Sequence, residues 1–184
     1  MIQFEFDQYS VAAIERRLGK MKSEAPKALK TALNATAKNA RTDLAHKAQA
    51  TYAVKVGGFA SEMRLIPATA GNLVAILRSR GASLEMRYFS VQGGTGGPPL
   101  TVMVKRTTGR HTIGKGFRNT LGSGGKVPAM RHGSERLPIK KLFSVSIPQM
   151  IGNEREVYGV VKPSIEDHLE NNVERQIARI LAGG

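Results

Sequence analysis

The sequence contains no cysteine and no tryptophan, and aromatic residues make up only 5% of it. The absence of cysteine excludes disulfide bonds, thiol catalysis and metal sites built on thiolates. The shortage of aromatic rings leaves little support for the stacking platforms with which single-strand binding proteins hold bases.

A long apolar run is also missing. The most apolar stretch, residues 65–77, is interrupted by Pro67, Gly71 and Asn72, whereas a membrane-spanning helix needs about 20 consecutive apolar residues. The first seven residues, Met-Ile-Gln-Phe-Glu-Phe-Asp, are acidic where a secretory signal is basic. We therefore expect no membrane partner, and a soluble protein of the cell interior or of a particle assembled there.

Carboxylates are absent from the middle of the chain. No Asp or Glu lies between Glu85 and Glu135, although the whole chain has a net charge of +14. Eleven of the 20 glycines fall between residues 93 and 133. Such a segment buries too little apolar surface to offset its loss of conformational entropy. We expect residues 91–136 to form a flexible basic arm, or a long hairpin with a loose tip, inserted in a single domain of residues 1–184.

Seven cations of this segment are the candidate contacts to DNA or to a partner protein: Lys105, Arg106, Arg110, Lys115, Arg118, Lys126 and Arg131. Unopposed positive charge suits a polyanion or an acidic face of a neighbouring subunit. No zinc-finger, helix-turn-helix or RNA-recognition pattern accompanies these cations. Contact with nucleic acid would therefore be made to phosphates and would not read base sequence.

Helical periodicity begins near the N-terminus. Residues 11–21 predict a short amphipathic helix that weakens at Gly19, and Ser23 as N-cap with Pro26 in the first turn predicts a longer helix as far as Ala50. The apolar stripe of the longer helix is rich in alanine: Leu29, Leu33, Ala37, Ala40 and Leu44. This stripe either packs on the chain's own sheet or is a candidate surface for packing against another subunit.

The remaining periodicity predicts strands and then a last helix. The strand candidates are residues 63–66, 72–78, 83–88, 100–105 and 143–147. Ser164 and Asp167 have the spacing of a capping box, and the apolar stripe of the helix after them contains Ile165, Leu169, Val173, Ile177 and Ile180. Helices at both ends, without strand–helix alternation between them, predict an α+β fold with a central antiparallel β-rich region and a C-terminal amphipathic helix.

Catalytic patterns are incomplete. Residues 109–115 fit the first seven positions of a phosphate-binding P-loop, but Gly116 stands where a hydroxyl would ligate magnesium. The four histidines are dispersed and have no cysteine to complete a zinc site. His132, Ser134 and Glu135 are the residue types of a triad, but residues this close along a chain rarely meet with triad geometry. We expect no enzyme activity, no catalytic or metal-binding residue, no cofactor and no small-molecule substrate.

Short segments at both ends of the basic region carry a family resemblance. They are Lys-Ala-Leu-Lys-Thr-Ala-Leu-Asn at 27–34, Leu-Pro-Ile at 137–139 and Ser-Ile-Pro-Gln-Met at 146–150. With a glycine-rich basic middle and a C-terminal amphipathic helix, the chain resembles the minor tail protein Z family of long-tailed bacteriophages, and more loosely the neck and tail-completion proteins of related phages. The resemblance implies a structural virion protein that acts late in tail assembly, at the head-proximal end where the tail joins the head.

The resemblance and the charge together give the leading hypothesis. It is a ring of six copies around the DNA channel that binds other tail or neck proteins and contacts DNA through phosphates, located in the virion tail and assembled in the host cytoplasm. The first alternative is a sequence-independent DNA-binding architectural protein unconnected with virions. The second is an RNA-binding, ribosome-associated factor, which fits the charge but lacks the aromatic residues usual for base recognition.

Overall fold

The fold is given by a computed structural model, which describes residues 2–5, 8–55, 58–120 and 125–183. These residues form four α-helices: α1 (Gln8–Leu18), α2 (Ala25–Thr51), α3 (Ile147–Ile151) and α4 (Tyr158–Ala182). They also form eleven strands: β1 (Ile2–Glu5), β2 (Met63–Ile66), β3 (Val74–Ser79), β4 (Ser83–Glu85), β5 (Ser90–Gln92), β6 (Thr101–Met103), β7 (His111–Thr112), β8 (Gly116–Thr120), β9 (Lys126–Arg131), β10 (Ile139–Lys141) and β11 (Phe143–Ser146). All strand pairs are antiparallel, and the predicted α+β class is confirmed.

The first two helices are separated at a glycine. Gly19 has a φ of +54° and begins a 3₁₀ segment, Gly19–Glu24, so the predicted weakening of α1 at this residue is confirmed. The predicted N-cap at Ser23 is wrong, because Glu24 occupies the cap position and no side chain caps the helix. The Ala25 amide donates instead to the Lys22 carbonyl. One of the first N–H groups of the helix, which have no acceptor within the helix, is thereby hydrogen-bonded to the preceding 3₁₀ turn. Pro26 lies in the first turn, as predicted.

Helix α2 is buried along its alanine-rich stripe. Leu29 is 1% exposed, and Leu33, Ala37, Ala40 and Leu44 are completely buried. Helix α2 packs against α4 and against strands β1, β2 and β3 of the same chain. These five residues are therefore core residues. The alternative interpretation, in which they form a surface for another subunit, is corrected by their burial.

Polar groups also join α2 to α4. Thr36 is completely buried and accepts a 3.1 Å hydrogen bond from the amide nitrogen of Asn172, which is 6% exposed. Near one edge of the same interface, His168 Nε2 lies 2.9 Å from a carboxylate oxygen of Asp43. Because a buried amide without a partner destabilises a fold, the Thr36–Asn172 bond fixes which turns of the two helices face each other.

Helix α4 begins earlier than predicted. Its N-cap is Val157, so Ser164 and Asp167 lie inside the helix and the predicted capping box is wrong. The buried stripe already includes Val157 and Val161, two turns and one turn before Ile165, and this packing extends the helix through Pro163. A capping box forms instead at Ser146 and Gln149, at the start of α3. The stripe itself is confirmed where Ile165 and Ile177 are buried.

Strands β1, β3 and β2 form a sheet in that order. The buried face of this sheet carries Phe4, Met63, Ala75 and Leu77, which belong to the same apolar cluster as α2. The N-terminal strand β1 was not among the predicted strands. It pairs with β3 from Ile2, opposite Leu77, to Glu5, opposite Val74. The acidic N-terminus is therefore part of the sheet.

Several predicted strands are found with changed limits. The segment 83–88 ends as a strand at Glu85 and continues as a 3₁₀ turn, Met86–Tyr88, and β5 follows it unpredicted. The strand predicted at 143–147 is present as β11. Its apolar residues, however, face away from the core. Phe143 is 52% exposed and Val145 is 37% exposed. The hydroxyl of Ser146 is instead used as the N-cap of α3, and Ser146 is buried.

The glycine-rich basic segment is folded in its described part. It contains β6, β7 and the expected hairpin, β8 and β9, whose connection at 121–124 lies outside the described residues. Leu100, Val102, Val127 and Ala129 are all buried. The expectation of an arm without a core is thus corrected, because these few apolar residues alternate along paired strands and bury one face of them. No helix in the described ranges is long and apolar enough to cross a membrane.

Replacing Ile177 with aspartate is expected to destabilise the fold, because this side chain is 2% exposed among Ile14, Leu18 and Leu29. The free energy of unfolding should fall by about 3 kcal/mol or more, measured by urea denaturation with circular dichroism. Leu181→Asp, at a half-exposed position of the same helix, is the control and should change it by less than about 0.5 kcal/mol. Equal decreases in the two variants would contradict this packing.

Candidate polyanion-binding site

A shallow, largely open depression of about 680 Å³ lies beside the β8–β9 hairpin. Three parts of the chain line it: the glycine tract after β5, the hairpin, and the turn that leads to β10. Five of its lining residues are cations: Lys115, Arg118, Lys126, Arg131 and Arg136. We call this region the basic concavity. Its lining contains no Asp or Glu among the described residues.

The glycine tract can line the basic concavity because it is bound to the hairpin through its backbone. The Arg118 amide donates to the Gly94 carbonyl at 2.6 Å, and the Gly94 amide donates to the Pro98 carbonyl at 2.8 Å. Gly94 has a φ of +78°, and a Cβ atom there would lie 2.9 Å from the Leu100 side chain. Only glycine combines this conformation with this close approach without strain. One wall of the site is therefore set by the position of a glycine.

The hairpin register places Arg118 and Lys126 on one face of the two strands, whereas Arg131, five residues after Lys126, belongs to the other face at the end of β9. Arg118 is paired with Pro128, Thr120 with Lys126, and β10 adds Ile139 opposite Arg131. The Arg131 guanidinium lies 5.2 Å from the centre of the Phe117 ring. Stacking over an aromatic ring holds a guanidinium by cation–π attraction and leaves its edge N–H groups to bind other partners.

The cations of the basic concavity have no acidic partner in the described part of the chain. None of the five forms an ion pair with a carboxylate there, and even Glu135, next to Arg136 in sequence, forms none. The Nε atom of Arg118 is buried and has no hydrogen-bond partner among the described residues. A buried charged donor without a partner is unfavourable, so this atom is a local source of instability beside the basic concavity.

The structure brings four of the seven predicted cations together: Lys115, Arg118, Lys126 and Arg131. Arg136 joins them although it is not one of the seven, because it lies just beyond Glu135 and so outside the carboxylate-free segment. Arg136 could have been identified from the turn after β9. This turn reverses the chain, so that β10 pairs with β9 and the residues between them lie beside the hairpin. Proximity in the fold, and not the limits of the carboxylate-free segment, decides which cations form the site.

The other three predicted cations are bound within the chain. The Lys105 ammonium lies 2.6 Å from the Glu156 carboxylate, and this hydrogen bond raises the pKa of Lys105. Arg106 donates from Nε to the Gln49 carbonyl at 3.3 Å. Arg110 donates to the Ser90 carbonyl and hydroxyl at 3.0 and 2.7 Å. These residues do not line the basic concavity, so the grouping of all seven as one binding surface is corrected.

The segment that resembles a P-loop does not adopt that structure. Its residues form β7 and a turn, and Gly116 begins strand β8 where a P-loop would begin a helix. Lys115, with a φ of +59°, projects from this turn and lines the basic concavity. No group of three side chains that could hold a metal ion occurs within the described residues.

The structural and the binding cations can be separated by two single substitutions. Lys105→Gln should lower the free energy of unfolding by about 0.5 kcal/mol, since the Glu156 ion pair is partly exposed and screened by solvent. Because the pKa of Lys105 is raised in the folded chain, this contribution is complete below the lysine's ordinary pKa and disappears only as the pH rises through the raised value. Lys115→Gln should leave stability unchanged and weaken polyphosphate binding by roughly two- to five-fold in low salt.

Chemical denaturation measures the first effect, and titration of a fluorescent polyphosphate measures the second. The two variants control for each other, since each removes one positive charge. If Lys105→Gln weakens polyphosphate binding as much as Lys115→Gln does, then total charge and not the basic concavity governs the interaction.

Comparison of the chain with protein-family models finds no match, and comparisons with curated proteins and with solved structures find none either. What the chain does must therefore be inferred from its own residues. The basic concavity is the feature of the described structure in which unopposed charge, a shaped surface and an unsatisfied buried donor coincide.

Proposed function

We propose that the chain is a non-enzymatic structural protein of a long-tailed phage, acting in tail completion and head–tail joining at the head-proximal end of the tail. In this proposal it binds the phosphate backbone of DNA through the basic concavity. The observation that supports DNA binding is the convergence of five cations without an acidic partner, among the described residues, on one concave surface. The tail setting is supported by the sequence resemblance alone.

Phosphate oxygens suit this surface better than bases do. Guanidinium groups bind phosphates through paired N–H donors, and lysine adds a mobile point charge. The aromatic ring of Phe117 in the lining is covered by the Arg131 guanidinium and so offers no free stacking face on that side. Binding would therefore follow backbone charge and would be insensitive to base sequence.

In the proposed setting, six copies form a ring around the DNA channel, in the virion tail, after assembly in the host cytoplasm. A ring places one basic concavity per subunit around the same duplex, so that weak interactions combine through their high effective concentration. The isolated chain can then bind DNA weakly while the assembled ring holds it. Neighbouring tail or neck proteins would occupy other faces of the ring.

A sequence-independent DNA-binding architectural protein, unconnected with virions, is the second candidate. It is favoured by the same cations, which are already assembled in the single chain. The two functions differ in what the isolated chain must achieve. An architectural protein has to bind DNA tightly alone, whereas a ring subunit acts with its neighbours.

Replacing Lys115, Arg118, Lys126 and Arg131 together with glutamine is expected to weaken binding to duplex DNA. The slope of log affinity against log salt should become shallower by about 0.9 for each phosphate that the variant no longer neutralises. Fluorescence anisotropy with duplexes of unrelated sequence measures both quantities. Replacing four exposed lysines outside the site with glutamine (Lys20, Lys22, Lys27 and Lys38) removes the same charge and should leave the slope nearly unchanged.

An equal weakening in the two quadruple variants would contradict the assignment of DNA binding to the basic concavity. The tail assignment needs a separate assay, in which purified tails that lack this protein are mixed with it and with filled heads. Wild-type protein should restore joining, and the variant of the basic concavity should not. If wild-type protein binds DNA tightly but never restores joining, the architectural function is supported instead.

A further inference from the structure

The outer face of the β1–β3–β2 sheet has an unusual distribution of charge. Arg64 on β2 and Arg78 on β3 are paired directly opposite each other in the antiparallel ladder, and both are exposed. Arg80 follows at the end of β3, and Ile66, 38% exposed, lies on the same face as Arg64. Arg64, Ile66, Arg78 and Arg80 line a shallow depression of about 280 Å³. We call this surface the arginine face.

Like charges opposite each other on neighbouring strands destabilise a sheet. In the described part of the chain, no ion pair joins Arg64, Arg78 or Arg80 to a carboxylate, although Glu62 also lines the depression. Helix α2 packs against the opposite face, where Phe4, Ala75 and Leu77 are buried. The arginine face is therefore an exposed sheet surface that fits a partner with acidic groups and some apolar area.

The same chain carries an acidic surface of the required kind. Four of its 14 acidic residues lie on α4, at Glu166, Asp167, Glu170 and Glu174. Successive helical residues are rotated by about 100°, so these four fall within an arc of about 100° on the helix surface. Glu174 is bound to Arg17, and Glu166 lies 4.0 Å from Lys162, while Asp167 and Glu170 have no ion pair among the described residues.

These two surfaces lie on different elements, each of which packs against α2. Helix α2 packs against the buried face of the sheet and also against the buried stripe of α4. Arg64, Arg78 and Arg80 are exposed, and so are Glu166, Asp167 and Glu170 of the acidic arc, whereas Glu174 is occupied by Arg17 of the same chain. The exposed residues of both surfaces are therefore accessible to another molecule. Different surfaces that complement each other produce a head-to-tail interface, which closes into a ring or continues as a filament.

We propose that the arginine face binds the acidic arc of α4 from a second copy of this chain. Arg64 and Arg78 lie against Glu166 and Glu170 of the neighbouring copy, and Ile66 supplies apolar area at the interface. This inference rests on the proposed ring for its closed form. Its failure is distinguishable from failure of the proposed function, because it is measured by self-association and not by DNA binding or tail joining.

The absence of cysteine allows a direct test by cross-linking. The double variant Arg64→Cys with Glu170→Cys, treated with a short bis-maleimide reagent, should give a ladder of covalent multimers. Each single-cysteine variant should stay monomeric on a denaturing gel, since in a head-to-tail interface one cysteine always faces a residue without a thiol. A ladder no stronger than the background of the single variants, or efficient dimers from either single variant, would overturn the proposal.

Charge exchange provides the second test and keeps both native surfaces otherwise intact. Arg64→Glu with Arg78→Glu should abolish self-association in sedimentation velocity, and Glu166→Arg with Glu170→Arg should do the same. All four changes in one chain should restore it, because every interface then pairs opposite charges again. Lys20→Glu with Lys22→Glu, at exposed positions in the 3₁₀ segment, makes the same change in net charge as the arginine variant and should leave association unchanged.

Circular dichroism of each variant confirms that it is folded before association is interpreted. Association should weaken as salt is added, because the interface depends on exposed charges. A wild-type chain that remains monomeric at high concentration in low salt would refute the interface. So would the variant with all four charge changes, if it is folded but does not associate.

Discussion

The close packing of helix α2 against two neighbours is the constraint on which the other parts of the structure depend. Its buried positions are largely alanine, which lets the backbones of α4 and of the β1–β3–β2 sheet approach closely. Each alanine buries little area, so the packing derives its stability from length and from continuity. The buried pair of Thr36 and Asn172 then fixes the alignment of α2 with α4. Because α4 and the β1–β3–β2 sheet each bury one face against α2, the opposite face of each is turned away from this helix.

The exposed charges of the chain are distributed unevenly over this arrangement. Acidic residues gather on the outer arc of α4, while cations without acidic partners among the described residues occupy the outer sheet face and the basic concavity. Charges that do pair, such as Lys105 with Glu156 and Arg17 with Glu174, join elements distant in sequence. A net charge of +14 is thus unevenly spread, and its local extremes mark the surfaces that we assign to DNA and to a second copy.

Structural features could be predicted from the sequence where a residue's conformation is determined by its neighbours along the chain. The stripe of α2, the break at Gly19 and the hairpin within the glycine-rich segment follow from local periodicity and backbone freedom. Prediction from the sequence failed where contacts with residues far along the chain determine the structure. Val157 extends α4 beyond the apparent cap at Ser164 because it is buried in the main core. Lys105 was grouped with the binding cations because Glu156, far along the chain, meets it only in the fold.

The candidate site shows the same division. That the middle of the chain is basic could be read from its composition, but the proximity of Lys115, Arg118, Lys126, Arg131 and Arg136 depends on how the hairpin and the segments that flank it fold together. A run of unopposed charge predicts the sign of a partner. It does not predict which charges share a surface, because side chains on one strand alternate between two faces.

The small apolar cluster of Ile14, Leu18, Ala25, Leu29 and Ile177 is separate from the main core. It connects α1 to the end of α4, with support from the exposed ion pair between Arg17 and Glu174. Because it buries few side chains, this unit is expected to open at a lower free energy than the whole molecule. Amide hydrogens of α1 and of the last turns of α4 should then exchange together with solvent, before those of the central sheet. The two ends of the chain would behave as one cooperative folding unit, although nearly the whole sequence separates them.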